Sequence, residues 1–326
     1  VKAGDRVFIA GHGGLVGSAL VRRLEAEGFE ELILRTRAEL DLTDPATVRS
    51  FFEDERPDYV FVAAAKVGGI LANDTFPADF IRDNLAIELA LIDAAHRARV
   101  RRLLFLGSSC IYPKHAPQPL KEEYLMSGPL EPTNEWYAVA KIAGIKLCQA
   151  YRRQHGDDFL SVLPSNLYGP GDNFDLRTSH VLPALIRKMH EAKQGAAAEV
   201  VVWGSGAPRR EFLHVDDLAD ACVHLMRHPL DSDLINVGVG RDLTIAELVD
   251  VIRSIVGFEG RIVYDRSKPD GTPRKLLDVG RLAQTGWRPR IALREGIAST
   301  YRWYVEHASA AQSLAGTKDV VRGSAV

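Results

Sequence analysis

The sequence predicts an α/β protein, a doubly wound parallel sheet with a smaller, discontinuous α/β lobe set over it. Three observations carry that prediction. Short β-rich runs alternate with helix-length segments through residues 6–163, a rhythm that requires crossover connections and so parallel strands covered on both faces. A glycine-rich turn follows the first run and opens the first helix. Beyond Gly171 the rhythm loosens, as expected where a second lobe interrupts the sheet.

Arg6, Val7, Phe8, Ile9 and Ala10 make the first strand, and residues 18–28 a helix whose apolar positions recur at helical spacing and which ends on glycine. Residues 31–34 and 59–64 read as the next strands. A helix over 78–98, a strand over 102–106, a helix over 137–155 and a strand over 160–163 continue the series. A loop then runs to His180, a helix covers 181–192 and a strand 199–203. Residues 234–238 read as another buried strand, and Thr244 starts a helix with Glu247 at its third position, the spacing of a capping box. These boundaries assign residues 1–175 and 212–240 to a Rossmann-like cofactor domain, and residues 176–211 and 241–316 to a substrate-binding lobe. Residues 317–326, small and polar, are expected to form a loose tail.

Composition narrows the class. With 326 residues and 46% hydrophobic content the chain can bury a full core. A formal net charge of −2, with the cations scattered, offers no footprint for nucleic acid. Cys110, Cys148 and Cys222 are too few and too far apart for a disulfide framework or a zinc ribbon, so no metal is expected and the setting is expected to be reducing and cytoplasmic. No apolar run approaches the ~18 residues needed to span a bilayer, and the first residues hold no signal-peptide core.

The turn reads Gly11, His12, Gly13, Gly14, Leu15, Val16, Gly17. Glycine suits it because a side chain would keep the backbone away from a pyrophosphate, while the helix N-terminus offers amide donors and partial positive charge. Its G-x-x-G-x-x-G spacing resembles that of the short-chain dehydrogenase/reductase superfamily. An NAD site carries an acid about 20 residues past the turn to hold the ribose 2′-hydroxyl. Arg37 stands there instead. A guanidinium pairs with a 2′-phosphate and has no acceptor for the hydroxyl's hydrogen, so NADP(H) is expected over NAD(H).

Tyr137 and Lys141 are four apart on a predicted helix and share one face, and Ser108 follows the strand over 102–106. These are parts of a hydride-transfer site: the lysine charge is expected to favour the phenolate, and Ser108 to hydrogen-bond the same substrate oxygen. Asn84, in the helix over 78–98, is expected to support the lysine, as an asparagine does in the superfamily that the turn resembles. Tyr264 and Lys268 repeat the spacing, but they precede the turn signal Pro269, Asp270, Gly271 and are set aside. Cys110, two residues past Ser108, is foreign to a plain dehydrogenase. Cys148 and Cys222 lie in helical apolar patterns and read as small core residues, whereas Cys110 would face the substrate as a usable base.

Six strings, over residues 7–12, 63–70, 107–113, 131–135, 141–148 and 268–275, resemble the GDP-L-fucose synthase family, and the match extends over residues 6–304. Among the most specific are Gly107-Ser108-Ser109-Cys110-Ile111-Tyr112-Pro113 and Lys268-Pro269-Asp270-Gly271-Thr272-Pro273-Arg274-Lys275. The family converts GDP-4-keto-6-deoxy-D-mannose to GDP-L-fucose by inverting two carbons and reducing the ketone. A 4-keto group acidifies the protons on C3 and C5, and inversion needs a proton removed from one face and another returned to the opposite one. The resemblance implies that Cys110 is the base and His180 the opposed acid, with Ser108, Tyr137 and Lys141 serving the reduction. It places Leu106, Gly107, Ser108, Ser109, Lys141, Pro164, Ser165, Asn166, Leu167 and His180 along the cofactor. Lys188, Trp203, Arg210, Asp270 and Lys275 fall to the GDP-sugar, and a homodimer through the helices over 78–98 and 137–155 is implied as well.

The chain departs from the family pattern at Lys188, where members often carry arginine, which keeps charge but loses bidentate geometry. It departs again at Gly13, where some carry arginine, leaving Arg37 with more of the 2′-phosphate. Two other readings stand beside this one: another nucleotide-sugar enzyme, a 4-epimerase or 4,6-dehydratase, and a non-catalytic redox-sensing regulator on the same cofactor fold. Dehydratases place an acid pair where this chain has Ser109 and Cys110, and sensors lose the tyrosine or lysine present here.

Overall fold

The computed structural model describes residues 1–228, 231–268 and 270–322. The first half runs β1 (Val7–Ala10), α1 (Leu15–Ala26), β2 (Leu32–Ile33), α2 (Pro45–Glu55), β3 (Tyr59–Val62), α3 (Ile70–Thr75), α4 (Pro77–Arg97), β4 (Arg102–Leu106), α5 (Glu135–His155), β5 (Phe159–Pro164) and β6 (Asn166–Tyr168). The second half runs α6 (Val181–Gln194), β7 (Glu199–Trp203), β8 (Arg209–Arg210), β9 (Phe212–His214), α7 (Val215–Arg227), β10 (Leu234–Val237), β11 (Leu243–Thr244), α8 (Ile245–Val256), β12 (Arg261–Asp265), β13 (Arg274–Lys275), α9 (Gly280–Gln284) and α10 (Leu293–Arg322).

Six parallel strands form the main sheet in the order β10-β5-β4-β3-β1-β2. Every residue of β1, β4 and β5 is buried, which is why these strands read as continuous apolar runs with no alternation. One face packs on α1 and α7 through Leu20, Leu24, Leu218 and Val223; the other packs on α2, α4 and α5 through Phe52, Leu91, Ile92 and Ile145. A third core lies off the sheet, where Leu182, Ile186 and Met189 of α6 meet Val200 and Val202 of β7 and Leu248 and Ile252 of α8. β7 alternates buried and exposed residues, so Val200 and Val202 point inward and Trp203 outward.

Buried Glu211 ties this lobe to the sheet. Its carboxylate accepts from the amides of Val239 and Gly240 just past β10, at 2.6 and 2.7 Å, and from Leu277 at 2.8 Å. The expected capping box is present on α8: Thr244 and Glu247 each accept the other's backbone N–H, a pairing that stabilises a helix start by ~1 kcal/mol.

Five helices escape the sequence pattern, α3 and α9 among them, which are only six and five residues long. α2 begins with Asp44 accepting from Ala46 and with Pro45 at its first position; α7 begins with the His214 ring accepting from Asp216. α10 continues to Arg322, past Gly316, so the stretch expected as a loose tail starts in helix; its Ala, Gln and Leu are helix formers. Residues 323–326, and Pro269 of the 268–275 string, lie outside the described residues. Among the described residues no helix is long and apolar enough to cross a membrane, and no cluster of His, Cys, Asp and Glu is placed to hold a metal ion.

Candidate active site

The glycine turn is built to hold something flat against backbone. Gly11 has φ +84, and a Cβ there would lie 2.7 Å from the Ala64 backbone; at Gly17 a Cβ would lie 2.1 Å from the Gly11 carbonyl oxygen. Gly13 opens onto free space. Gly14 caps α1 without a side chain, and the first turn carries no acid, so the α1 amides face an open, electropositive cradle. His12 Nδ1 in the turn, and Ser165 Oγ just past β5, are buried with no hydrogen-bond partner among the described residues. Leu15 and Val16 pack their side chains into the core beneath. This donor set fits a dinucleotide phosphate, which the α1 amides and the ring of His12 would hold.

At the ribose end, Arg35 is tied to Glu55 and to its neighbour's carbonyl, and its guanidinium lies over the Phe51 ring. Arg37 lies exposed past β2 with no ion pair among the described residues. Sequence reasoning missed Glu39 nearby. Its carboxylate accepts from the Thr36 amide and hydroxyl, which hold its pKa below the ordinary range.

The residues expected to be catalytic rise from the C-terminal end of β4 and from α5. Gly107 allows β4 and β5 to close, since a Cβ would lie 2.5 Å from Leu163. Ser108 then caps a short 3-10 turn over Ser109–Ile111 that aims Cys110 back at it, with Ser108 Oγ and Cys110 Sγ 2.9 Å apart. Leu106 and Ser109 are buried at this strand end. Tyr137, 8% exposed, lies close enough to Ser108 and Cys110 for both to act on its phenol. Serine, thiol and phenol thus converge on one point, where a single substrate oxygen and its adjacent carbons would sit.

Two expectations are corrected here. Lys141 does not leave its charge to act on Tyr137: its ammonium lies 3.2 Å from Glu88, and both side chains are 2% exposed. Burial, then the charges of Cys110 and Glu88, push the Tyr137 phenol well above its ordinary pKa, with only the Ser108 side chain pulling the other way. Asn84 does not support the lysine either. Its carbonyl accepts from the Lys66 amide at 2.8 Å and its amide donates to the Lys66 and Phe80 carbonyls, so it clamps the chain after β3. Glu88, one turn further along α4, takes the lysine in its place.

His180 arrives from the start of α6, in the lobe off the main sheet. It occupies the N-cap position of α6 without using its ring as a cap, and the Gly69 amide steadies the loop before it by donating to the Thr178 carbonyl at 3.1 Å. The ring is exposed by surface area yet crowded by protein; burial and then Lys275 push its pKa down. In the same loop sequence reasoning missed Asp172, whose carboxyl burial pushes up to about 7, against the Asn173 amide; one of its oxygens has no partner among the described residues.

Lys275 and Arg210 are register partners on β13 and β8. Lys275 lines a pocket with Cys110, Glu131 and Thr272, and burial pushes its pKa down, opposed by Cys110 and reinforced by Arg210. Two desolvated cations side by side favour an anion between them. Trp203, 62% exposed, lies between the ammoniums of Lys188 and Lys268, 5.5 and 5.4 Å from its ring. Lys188 also donates to the Val201 carbonyl. Asp270 accepts from the Ser205 amide and hydroxyl at 2.7 and 2.8 Å, so it shapes the loop before it meets any ligand. Pro164, Asn166 and Leu167 continue from β5, with the Asn166 amide donating to the Glu211 carbonyl. Tyr264 stands on strand β12 against Gly206, away from any helical Tyr–Lys pair.

Fold and site together define a nicotinamide-dependent enzyme of the epimerase and dehydratase class, and the model described as "NAD dependent epimerase/dehydratase family" matches residues 7–238. The chain is 61% identical over 310 residues to "Probable GDP-L-fucose synthase 1" of Oryza sativa subsp. japonica, covering 95% of this chain and 94% of that one. It is 59% identical over 313 residues to "GDP-L-fucose synthase" of Escherichia coli (strain K12), covering 93% and 97%. A solved "gdp-l-fucose synthetase from Naegleria fowleri bound to NADP" superposes with a TM-score of 0.86 at 28% identity, covering 95% and 96%. Within that class the chain belongs to the GDP-L-fucose synthase family.

Proposed function

We propose that this enzyme epimerises GDP-4-keto-6-deoxy-D-mannose at C3 and C5 and reduces it at C4 with NADPH to give GDP-L-fucose. One observation carries the reading: Cys110 Sγ lies 2.9 Å from Ser108 Oγ, and both groups are near enough to Tyr137 to act on its phenol. A thiol that could take a carbon-bound proton therefore shares the point at which the reducing groups hold the C4 oxygen. In the epimerising steps Cys110 removes a proton, Ser108 and Tyr137 hold the enolate oxygen, and His180 returns a proton from the other face. In the reducing step Tyr137 gives its hydroxyl proton to that oxygen as hydride reaches C4.

The bound cofactor supplies that hydride, while Lys141 and the glycine turn position it. NADP(H) over NAD(H) is supported by Arg37, which is left open for a 2′-phosphate while Arg35 is engaged, and by the NADP-bound relative. Lys275 and Arg210 suit the diphosphate, and Trp203 with Lys188 suits the base. The separate third core supports residues 1–175 and 212–240 as the cofactor domain and 176–211 and 241–316 as the substrate lobe. Leu85 and Leu89 on α4 and Trp136 and Val139 on α5 form an exposed apolar stripe, which supports a homodimer through these helices. A biosynthetic, nucleotide-sugar role supports a cytoplasmic setting.

Incubation with GDP-4-keto-6-deoxy-D-mannose and NADPH in deuterated water tests the reading. GDP-L-fucose carrying deuterium at C3 and C5 is expected. NADPH consumption without deuterium at either carbon would make the chain a plain 4-reductase and sink it.

A further inference from the structure

Among the buried carboxylates, Glu122, Glu211 and Asp217 accept from backbone amides. Glu88 is different: neither of its oxygens makes a well-formed hydrogen bond, and while burial pushes its pKa up, the Lys141 ammonium at 3.2 Å pulls it back toward the carboxylate. The chain makes room for this pair. A Cβ at Gly144 would lie 2.6 Å from Glu88 Oε2 and 2.5 Å from the Phe105 ring, and that ring lies under Lys141, 4.5 Å from centroid to Nζ. Lys141 is thus held between a carboxylate and an aromatic face, with Tyr137 one helical turn away.

We propose that Glu88 is a positioning residue for the reduction: it holds Lys141 and cancels its charge, so that Tyr137 keeps its proton until the substrate's C4 oxygen takes it. This rests on the reading of the chain as an NADPH-dependent ketone reductase. Reduction must start from the phenol, because as hydride adds to C4 the carbonyl π pair moves to oxygen and the Tyr137 O–H bond breaks to supply the proton. An unpaired ammonium one turn away favours phenolate, the form that suits the reverse oxidation. The titratable groups facing Glu88 are Lys141, Tyr137 and Cys148, all on α5, while Cys110 faces Tyr137 from the turn after β4.

The test compares the full chain with Glu88→Gln and Glu88→Asp. For Glu88→Gln the alkaline limb of NADPH oxidation against pH, with GDP-4-keto-6-deoxy-D-mannose, is expected to move down by about one unit or more, since an uncompensated charge at this range shifts a group by that much. Below that limb, where Tyr137 still holds the enolate oxygen as the phenol, deuterium exchange at C3 and C5 should stay within about twofold, because Cys110 and His180 are untouched. A limb superimposable on wild type, or exchange lost below the limb in step with reduction, overturns the proposal. Glu88→Asp keeps the charge with a shorter reach: its limb should stay in place while the KM for NADPH rises, and a moved limb with unchanged KM overturns it even if Glu88→Gln does not fold. Ultraviolet titration of the Tyr137 phenol, assigned with Tyr137→Phe, needs no sugar. It should ionise at lower pH in Glu88→Gln, and an unchanged midpoint overturns the proposal whether or not the substrate reading stands.

Discussion

The two walls of the site are held by different physics. Ser108, Cys110, Tyr137 and Lys141 stand on β4 and α5, where every β4 residue is buried and Tyr137 is 8% exposed. His180, Trp203, Arg210, Asp270 and Lys275 stand on turns, helix ends and short strands, and Trp203 is 62% exposed. The first wall is fixed by close packing, so its atoms are placed to within a rotamer. The second is fixed by polar groups that engage one another, Asp270 with Ser205 and Lys188 with Val201. Proton transfer needs the first kind of rigidity; recognition of a large anionic ligand tolerates the second.

Substitutions on the packed wall should cost most. Gly17→Ala drives a methyl into backbone, and overpacking of this kind is expected to weaken NADPH binding by about 10²-fold or more. Gly13→Ala, in open space, should change it little. Fluorescence titration, with the melting temperature of the ligand-free protein beside it, checks both; equal losses at the two glycines would mean that the turn is not held as described. Cys110→Ser should lower deuterium exchange at C3 and C5 by about 10²–10³-fold, the range for a lost acid/base group. NADPH affinity should be kept, and exchange at the wild-type rate would remove the thiol from the chemistry.

The recognition wall should yield gentler effects. Trp203→Ala is expected to raise the KM for the GDP-sugar about tenfold while kcat moves little, the signature of uniform binding energy. A fall in kcat with KM constant would place the indole in the chemistry and blur the distinction between the walls. The smallest effect concerns His180. Burial and Lys275 both hold its pKa down, so Lys275→Met should raise its NMR titration midpoint toward the ordinary histidine value without reaching it. An unmoved midpoint would show that the two groups do not sense each other.

Local spacing made much of the packed wall legible. Tyr137 and Lys141 share a face because they are four apart in a helix, and Ser108 and Cys110 are brought together by a turn only three residues long. Glu88 was not legible in that way. Its one signal was a carboxylate on a buried helical stripe with Phe80, Asn84 and Leu91, where a charge needs a partner from elsewhere. Asn84 was assigned to the lysine by resemblance, and the packing of α4 on the chain after β3 gave it other work. On the recognition wall, the register of β8 with β13 brings Arg210 beside Lys275, a pairing between distant segments that no spacing predicts.

By itself the sequence determined the parallel α/β sheet and the glycine turn, and it pointed to the serine, thiol, tyrosine and lysine that the fold brings together, because each follows from apolar periodicity or from neighbours within a turn or two. Only the tertiary structure decided that Lys141 answers to Glu88, that burial with Cys110 and Glu88 pushes the Tyr137 pKa up, and that Lys275 faces both Cys110 and His180. Those outcomes depend on which buried charges are brought within a few ångströms, and desolvation and Coulomb attraction act on distance in space, not on separation along the chain.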